Sequence, residues 1–208
     1  MDSDIKNKKA PTVPLERYVL SGDDNTTVLV LFNSGWSCLS NFRAAPMRIN
    51  GIKYRSVQQY IEAQKALFIE RPDLYNVILQ TFSPRKCFEI MQTVKDIPEA
   101  WNKKMLGHLK VAILAKFQQH PEMKKTLLDT EKATLVFATS FDNFLGNGLD
   151  MMDPESVSPK KYPGRNMLGL VLMEVRAKLA TKLRDEINGE ASLEDTAKAS
   201  DQSDTENV

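Results

Sequence analysis

The hydrophobic pattern changes period several times along the chain. VLVLF at 28–32 is an unbroken apolar run with the length and β-branched content of a buried strand. PMRINGIKYRS at 46–56 alternates around Asn50-Gly51, the dipeptide that suits a two-residue hairpin turn. From Val57 the period becomes helical: Val57, Tyr60, Ile61, Gln64, Leu67 and Phe68 fall on one face, and Ser56 can cap the first turn. This predicts a helix to about Glu70. Pro72 opens another short helix, and Ser83-Pro84 reads as an N-cap followed by proline at the first helical position. Pro98 begins a long helix through Trp101, Met105, Leu109, Ala112, Ile113, Lys116 and Phe117, and Pro121 restarts the chain into MKKTLL. ATLVFATS at 133–140 predicts a second strand, and a glycine-rich loop then leads to a last helix from about Asn166 to Leu183. The expected architecture is α+β: a predominantly helical single domain with a small β-sheet.

Outside this pattern the ends are polar. Residues 1–27 show no period and contain Pro11, Pro14 and a DDNTT run; residues 185–208 are rich in Ser, Thr and acids. Both are expected to be disordered flanks around a domain at 28–184. The tail holds eight acids against Lys198, a net −7, so the rest of this +1 chain carries +8. A mildly basic body suits an anionic, phosphate-bearing ligand, and it is equally what a lysine-rich solvated surface looks like. No segment approaches the roughly 18 consecutive apolar residues of a membrane span, and the start has no apolar core of a signal sequence. A cytoplasmic protein, or a nuclear one, is expected. Cys38 and Cys87 sit among no histidine cluster, so neither a metal site nor a disulfide framework is predicted.

Three places hold candidate chemistry. A helical advance of about 100° per residue puts Gln58, Glu62 and Lys65 on one stripe, joining a carboxylate and an amine at a cleft edge or forming a solvated ion pair. Asp142 follows the second strand in FDNFLGNG, where Gly146 and Gly148 permit either close approach to a ligand or a plain turn. Lys160, Lys161 and Arg165 precede Asn166, which can cap the last helix so that its free N–H groups meet a phosphate. Trp36, Phe42 and Trp101 are candidates for base stacking or for core packing.

Several segments together resemble a known family. LSNF at 39–42, SVQQYIEAQK at 56–65, Trp101, Lys116-Phe117, Leu127-Leu128 followed by Thr130, DNFLGNG at 142–148 and NMLGLVLMEVRAKL at 166–179 occur in the order and rough spacing of the YbiA-like (NADAR) family. The resemblance implies an N-glycosidase that hydrolyses the N-ribosyl bond of a phosphoribosylated riboflavin-pathway intermediate or of ADP-ribosylated guanine, free or in nucleic acid. It implies lysine chemistry without metal or cofactor. Carried over by position, it makes Lys65, Glu62 and Asp142 catalytic, and assigns substrate contacts to Asn41, Phe42, Gln58, Gln59, Trp101, Gly146, Gly148, Arg165 and Asn166. Where the family reads S-x-E-H-Y-x-Q-A-x-K, this chain has Gln58, Gln59 and Glu62; where it reads D-x-x-W-G-x-G, Leu145 replaces the tryptophan. The carboxylate of the stripe has moved by one helical turn. The alternative that follows is a catalytically impaired homologue serving as an ADP-ribose or nucleotide-binding module.

Overall fold

The computed structural model describes residues 16–203. A three-stranded sheet is built from β1 (Glu16–Leu20), β2 (Val28–Phe32) and β5 (Thr134–Phe137), with β2 in the centre, antiparallel to β1 and parallel to β5. β2 reads as an unbroken apolar run because both of its faces are covered. Val30 and Phe32 join Leu135 in the main core, while Leu29 and Leu31 meet Val136, Ala138 and Met151 in a smaller cluster on the other side. β3 (Met47–Ile49) and β4 (Ile52–Tyr54) form the expected hairpin, its Asn50 and Gly51 both at positive φ (49° and 80°).

The helices are α1 (Val57–Phe68), α2 (Pro72–Gln80), α3 (Pro84–Gln92), α4 (Ala100–Gln119), α5 (Pro121–Leu128) and α6 (Met167–Ser203), with two 3-10 turns at Pro154–Val157 and Pro159–Lys161. Ser56 and Ser83 cap α1 and α3 as their sequences require, each hydroxyl accepting from the backbone N–H three residues on. α2, α3 and α4 all pack on α1. Its first two turns are therefore buried on every side, the polar Gln58, Gln59 and Glu62 included. A helix enclosed in this way must satisfy its polar side chains internally or spend them on a ligand.

Two expected boundaries move. The N-terminal flank was placed at 1–27, yet residues 16–20 form β1, whose five residues pair with β2 along its whole length. Polar contacts tie it down as well: Arg17 donates to Met151 O at 2.9 Å and Ser37 Oγ donates to Glu16 at 2.5 Å. The strand escapes pattern reading because it is an edge strand with only half-buried side chains and Tyr18 and Leu20 facing outward. At the other end, α6 continues through Ser203, past residue 184. The rest of each flank lies outside the described residues. Among the described residues no helix is long and apolar enough to cross a membrane.

Candidate active site

Burial of α1 turns the predicted stripe into a wired set of polar groups. Gln58 Nε2 donates to Glu62 Oε1 at 2.6 Å, and Glu62 Oε2 lies 2.7 Å from Lys65 Nζ. Oε2 has no further partner among the described residues, so the Lys65 ammonium is its one polar neighbour. Only 1% of the Glu62 side chain and 13% of the Lys65 side chain is exposed, which separates this pair from a solvated surface ion pair. Burial pushes the Glu62 carboxyl above the ordinary range, against the lowering pull of Lys65 and of the Gln58 amide.

All three side chains face an inner chamber of about 260 Å³, which Asn41, Trp101 and Asp142 also line. Asn41 arrives on the β2–β3 segment, whose path is fixed from below: Lys116 Nζ on α4 donates to Cys38 O (2.5 Å) and Ser40 O (2.9 Å). Trp101 packs on Phe68 and stacks on His108, with ring centroids 5.5 and 5.8 Å away. Asn41 Oδ1 and Trp101 Nε1 are buried and have no hydrogen-bond partner among the described residues. Asp142 both turns its loop and faces the chamber: its Oδ1 accepts from the Phe144 and Leu145 backbone N–H groups at 2.8 and 2.7 Å, while Oδ2 is left uncommitted.

A larger outer chamber of about 880 Å³ shares Asn41, Gln58 and Asp142 with the inner one and is lined further by Phe42, Arg85 and Phe141. Phe88 and Gln92 of α3 also face both chambers. These α3 residues were not anticipated as site residues, although Arg85, Phe88 and Gln92 recur at the three- and four-residue spacing of one helical face. That spacing was the available signal.

Five expected contacts fall elsewhere. Gln59 turns away from both chambers: its amide donates to Ile78 O (2.9 Å) and Thr81 O (2.9 Å), and its oxygen accepts from Arg55 N (2.6 Å), closing the C-terminal end of α2. Gly146 and Gly148 also line neither chamber, because they let loops pack on loops. A Cβ on Gly146 would meet Asp142 O at 2.7 Å, and one on Gly148, at φ +82°, would meet Pro163 Cγ at 2.7 Å. Asn166 does not cap α6 through its side chain; it takes φ 50° and bridges to β5, donating to Leu135 O (2.8 Å) and accepting from Phe137 N (2.9 Å). Arg165 is exposed and lies over the outer side of Phe144 (5.3 Å), while Lys161 pairs with Glu155 at 3.0 Å, so this basic loop faces neither chamber.

The sequence profile of the NADAR domain matches residues 31–180. An N-glycosidase of Acanthamoeba polyphaga mimivirus is 31% identical over 125 residues, 60% of this chain and 74% of that protein. Protein irg-1 of Caenorhabditis elegans is 28% identical over 195 residues, 86% of this chain and 92% of that protein. The NMR structure of Escherichia coli YbiA superposes with a TM-score of 0.59 at 29% identity, covering 74% of this chain and 86% of that one.

Proposed function

This chain belongs to the NADAR domain family, and from that premise and the buried stripe of α1 we propose that it is an N-glycosidase-type hydrolase acting on the N-ribosyl bond of a phosphoribosylated or ADP-ribosylated base. The observation that carries the reading is the contact between Lys65 Nζ and Glu62 Oε2, 2.7 Å, on the wall of a chamber of about 260 Å³. A buried carboxyl whose proton affinity is raised is the group to relieve an adjacent ammonium of its proton and free the amine as a nucleophile. The exchange of amide and carboxylate between positions 58 and 62 is compatible with this role. Both residues face the chamber and stay bonded to each other at 2.6 Å, while the carboxylate now touches Lys65 directly.

In the proposed reaction Lys65 Nζ gives a proton to Glu62 and attacks ribose C1. The bond between C1 and the base nitrogen breaks, and the base leaves with the proton that Glu62 held. Glu62 then takes a second proton from Nζ and passes it to the ring oxygen as the sugar opens, leaving an iminium between Nζ and C1. Asp142, with one oxygen uncommitted, offsets positive charge near the sugar. Water adds to C1, its oxygen becomes the aldehyde oxygen of the released sugar, and its two protons restore the lysine ammonium. Asn41 and Trp101 orient the sugar, and Arg85 supplies a cation for phosphate in the outer chamber. The substrate is a small nucleotide or ADP-ribosylated guanine, free or in nucleic acid, met in the cytoplasm or nucleus.

A binding module without turnover is the competing reading, and it holds if the proton stays on Lys65, since an ammonium is not nucleophilic. Borohydride added during incubation with ADP-ribosylated guanosine or a phosphoribosylated riboflavin-pathway intermediate separates the two. The enzyme reading expects base release and a covalent adduct on Lys65, both lost in Lys65→Ala. Binding of ADP-ribose by calorimetry with no base released from either substrate would instead leave the module.

A further inference from the structure

Phe141 is 96% exposed, the most exposed large apolar side chain among the described residues, and it stands on the wall of the outer chamber. Its backbone is not slack. Phe141 N donates to Thr139 Oγ1 at 3.3 Å, and on its other side Asp142 Oδ1 gathers the N–H groups of Phe144 and Leu145 while Gly146 N donates to Asp142 O at 3.0 Å. The loop is therefore held on both sides of a ring that has nothing of the protein to pack on. The other aromatic groups of the same chamber come from different elements. Phe42, on the β2–β3 segment, meets Phe88 of α3 edge-on, with centroids 5.9 Å apart and planes at 74°, and the Arg85 guanidinium lies 5.8 Å from the Phe88 ring. These rings already have partners within the protein; Phe141 does not.

We propose that Phe141 is the aromatic cover of the outer chamber, stacking on the planar base at the far end of a ligand whose reacting ribose occupies the inner chamber and whose phosphate faces Arg85. This rests on the nucleotide-hydrolase reading above. The arrangement follows from how the chambers connect. They share Asn41, Gln58 and Asp142, so a ligand held at Lys65 extends past Asp142 into the space that Phe141, the residue before it, borders. An aromatic ring offers a base sequence-tolerant contact area, and the Arg85 guanidinium of the same chamber, 3.3 Å from Glu89 on the exposed side of α3, suits the phosphate that accompanies such a base. The consequence is selectivity by extent: a ligand with a planar base beyond its sugar phosphate gains the contact, and a sugar phosphate alone does not.

Calorimetric titration of the full chain with ADP-ribose and with ribose 5-phosphate tests this. Phe141→Ala is expected to weaken ADP-ribose roughly 5- to 100-fold, the range that loss of one base–aromatic stack produces, and to leave ribose 5-phosphate unchanged. Phe141→Tyr and Phe141→Trp should restore ADP-ribose affinity, and unaltered thermal unfolding of all three variants would exclude a folding effect. Equal ADP-ribose affinity in wild type and Phe141→Ala, or equal losses for both probes, would overturn the aromatic cover while leaving the hydrolase reading intact. Wild-type protein that binds neither probe overturns that reading and this inference with it.

Discussion

Lys116 holds a cation in the core: 1% of it is exposed, and its Nζ donates to Cys38 O and Ser40 O. Burial, with a smaller contribution from Arg43, brings its pKa down to about 7 from an unfolded value of 10.5. The sign follows from proton counts. Below about pH 7 both states hold the proton and the contribution is flat; from there toward pH 10.5 only the unfolded chain holds it, so stability rises with pH across that window. Cys38, Cys87 and Tyr54, raised by burial, act in the opposite direction at alkaline pH, so the useful quantity is a difference. The melting temperature of wild type minus that of Lys116→Met should increase from about pH 6.5 to about pH 9.5, and a constant difference would contradict the buried-lysine account. In the sequence the residue appears as one position on the helical face of α4 and as part of the Lys116-Phe117 pair in the family resemblance, neither of which reports what it holds. Its carbonyl partners lie 76 and 78 residues away, a distance no local pattern reports. Gln59 shows the same limit from the other side. It neighbours the reactive stripe, yet a helical advance of about 100° turns it toward the end of α2, where its amide closes backbone carbonyls.

Among the elements, those punctuated by proline and serine were the most legible. Ser56, Pro72, Ser83-Pro84 and Pro121 mark helix starts that the structure reproduces to the residue, because capping and a preset φ are local effects. β1 was not legible, since an edge strand of mixed polarity acquires its identity from β2 alone. α1 was legible both as a helix and as a polar stripe beside its apolar face, and what the sequence left open was the depth of that stripe. The three helices packed around it decide this, and with it the chemistry, because a carboxylate 1% exposed cannot be neutralised by water. The double exchange Gln58→Glu with Glu62→Gln gives a test at this scale. It keeps an amide–carboxylate pair on the same two positions, but moves the charge about 6 Å from the place where it touches Lys65. If Glu62 is the proton acceptor for Lys65, turnover should fall roughly 100-fold or more, with stability changed little, as base-release assays and urea titration would show. Turnover that rises after the exchange would mean that the carboxylate belongs one turn earlier and that Glu62 only holds the lysine.

Across the whole molecule, charge and packing are divided at different points of α6. Among the described side chains of this helix Leu179 is the last buried apolar one, and the family profile ends at residue 180. Eight acids from Asp185 to Glu206, against Lys198, give residues 185–208 a net −7 against +8 for the remainder. Removing residues 185–208 leaves the whole stretch matched by the family profile in place and shifts net charge from +1 to +8. The shortened chain should therefore still unfold cooperatively in urea, as expected of a domain that keeps its full profile match at 31–180. Its effect on ligands should be electrostatic and should decay with salt. At about 20 mM NaCl an anionic probe such as ADP-ribose should bind the shortened chain more tightly, and at about 300 mM, where the Debye length is under 10 Å, the two affinities should converge. Calorimetry at both salt concentrations measures this directly. An affinity difference that persists at high salt would mean that residues 185–208 reach the chambers by contact, which would make the tail a competitor for the site.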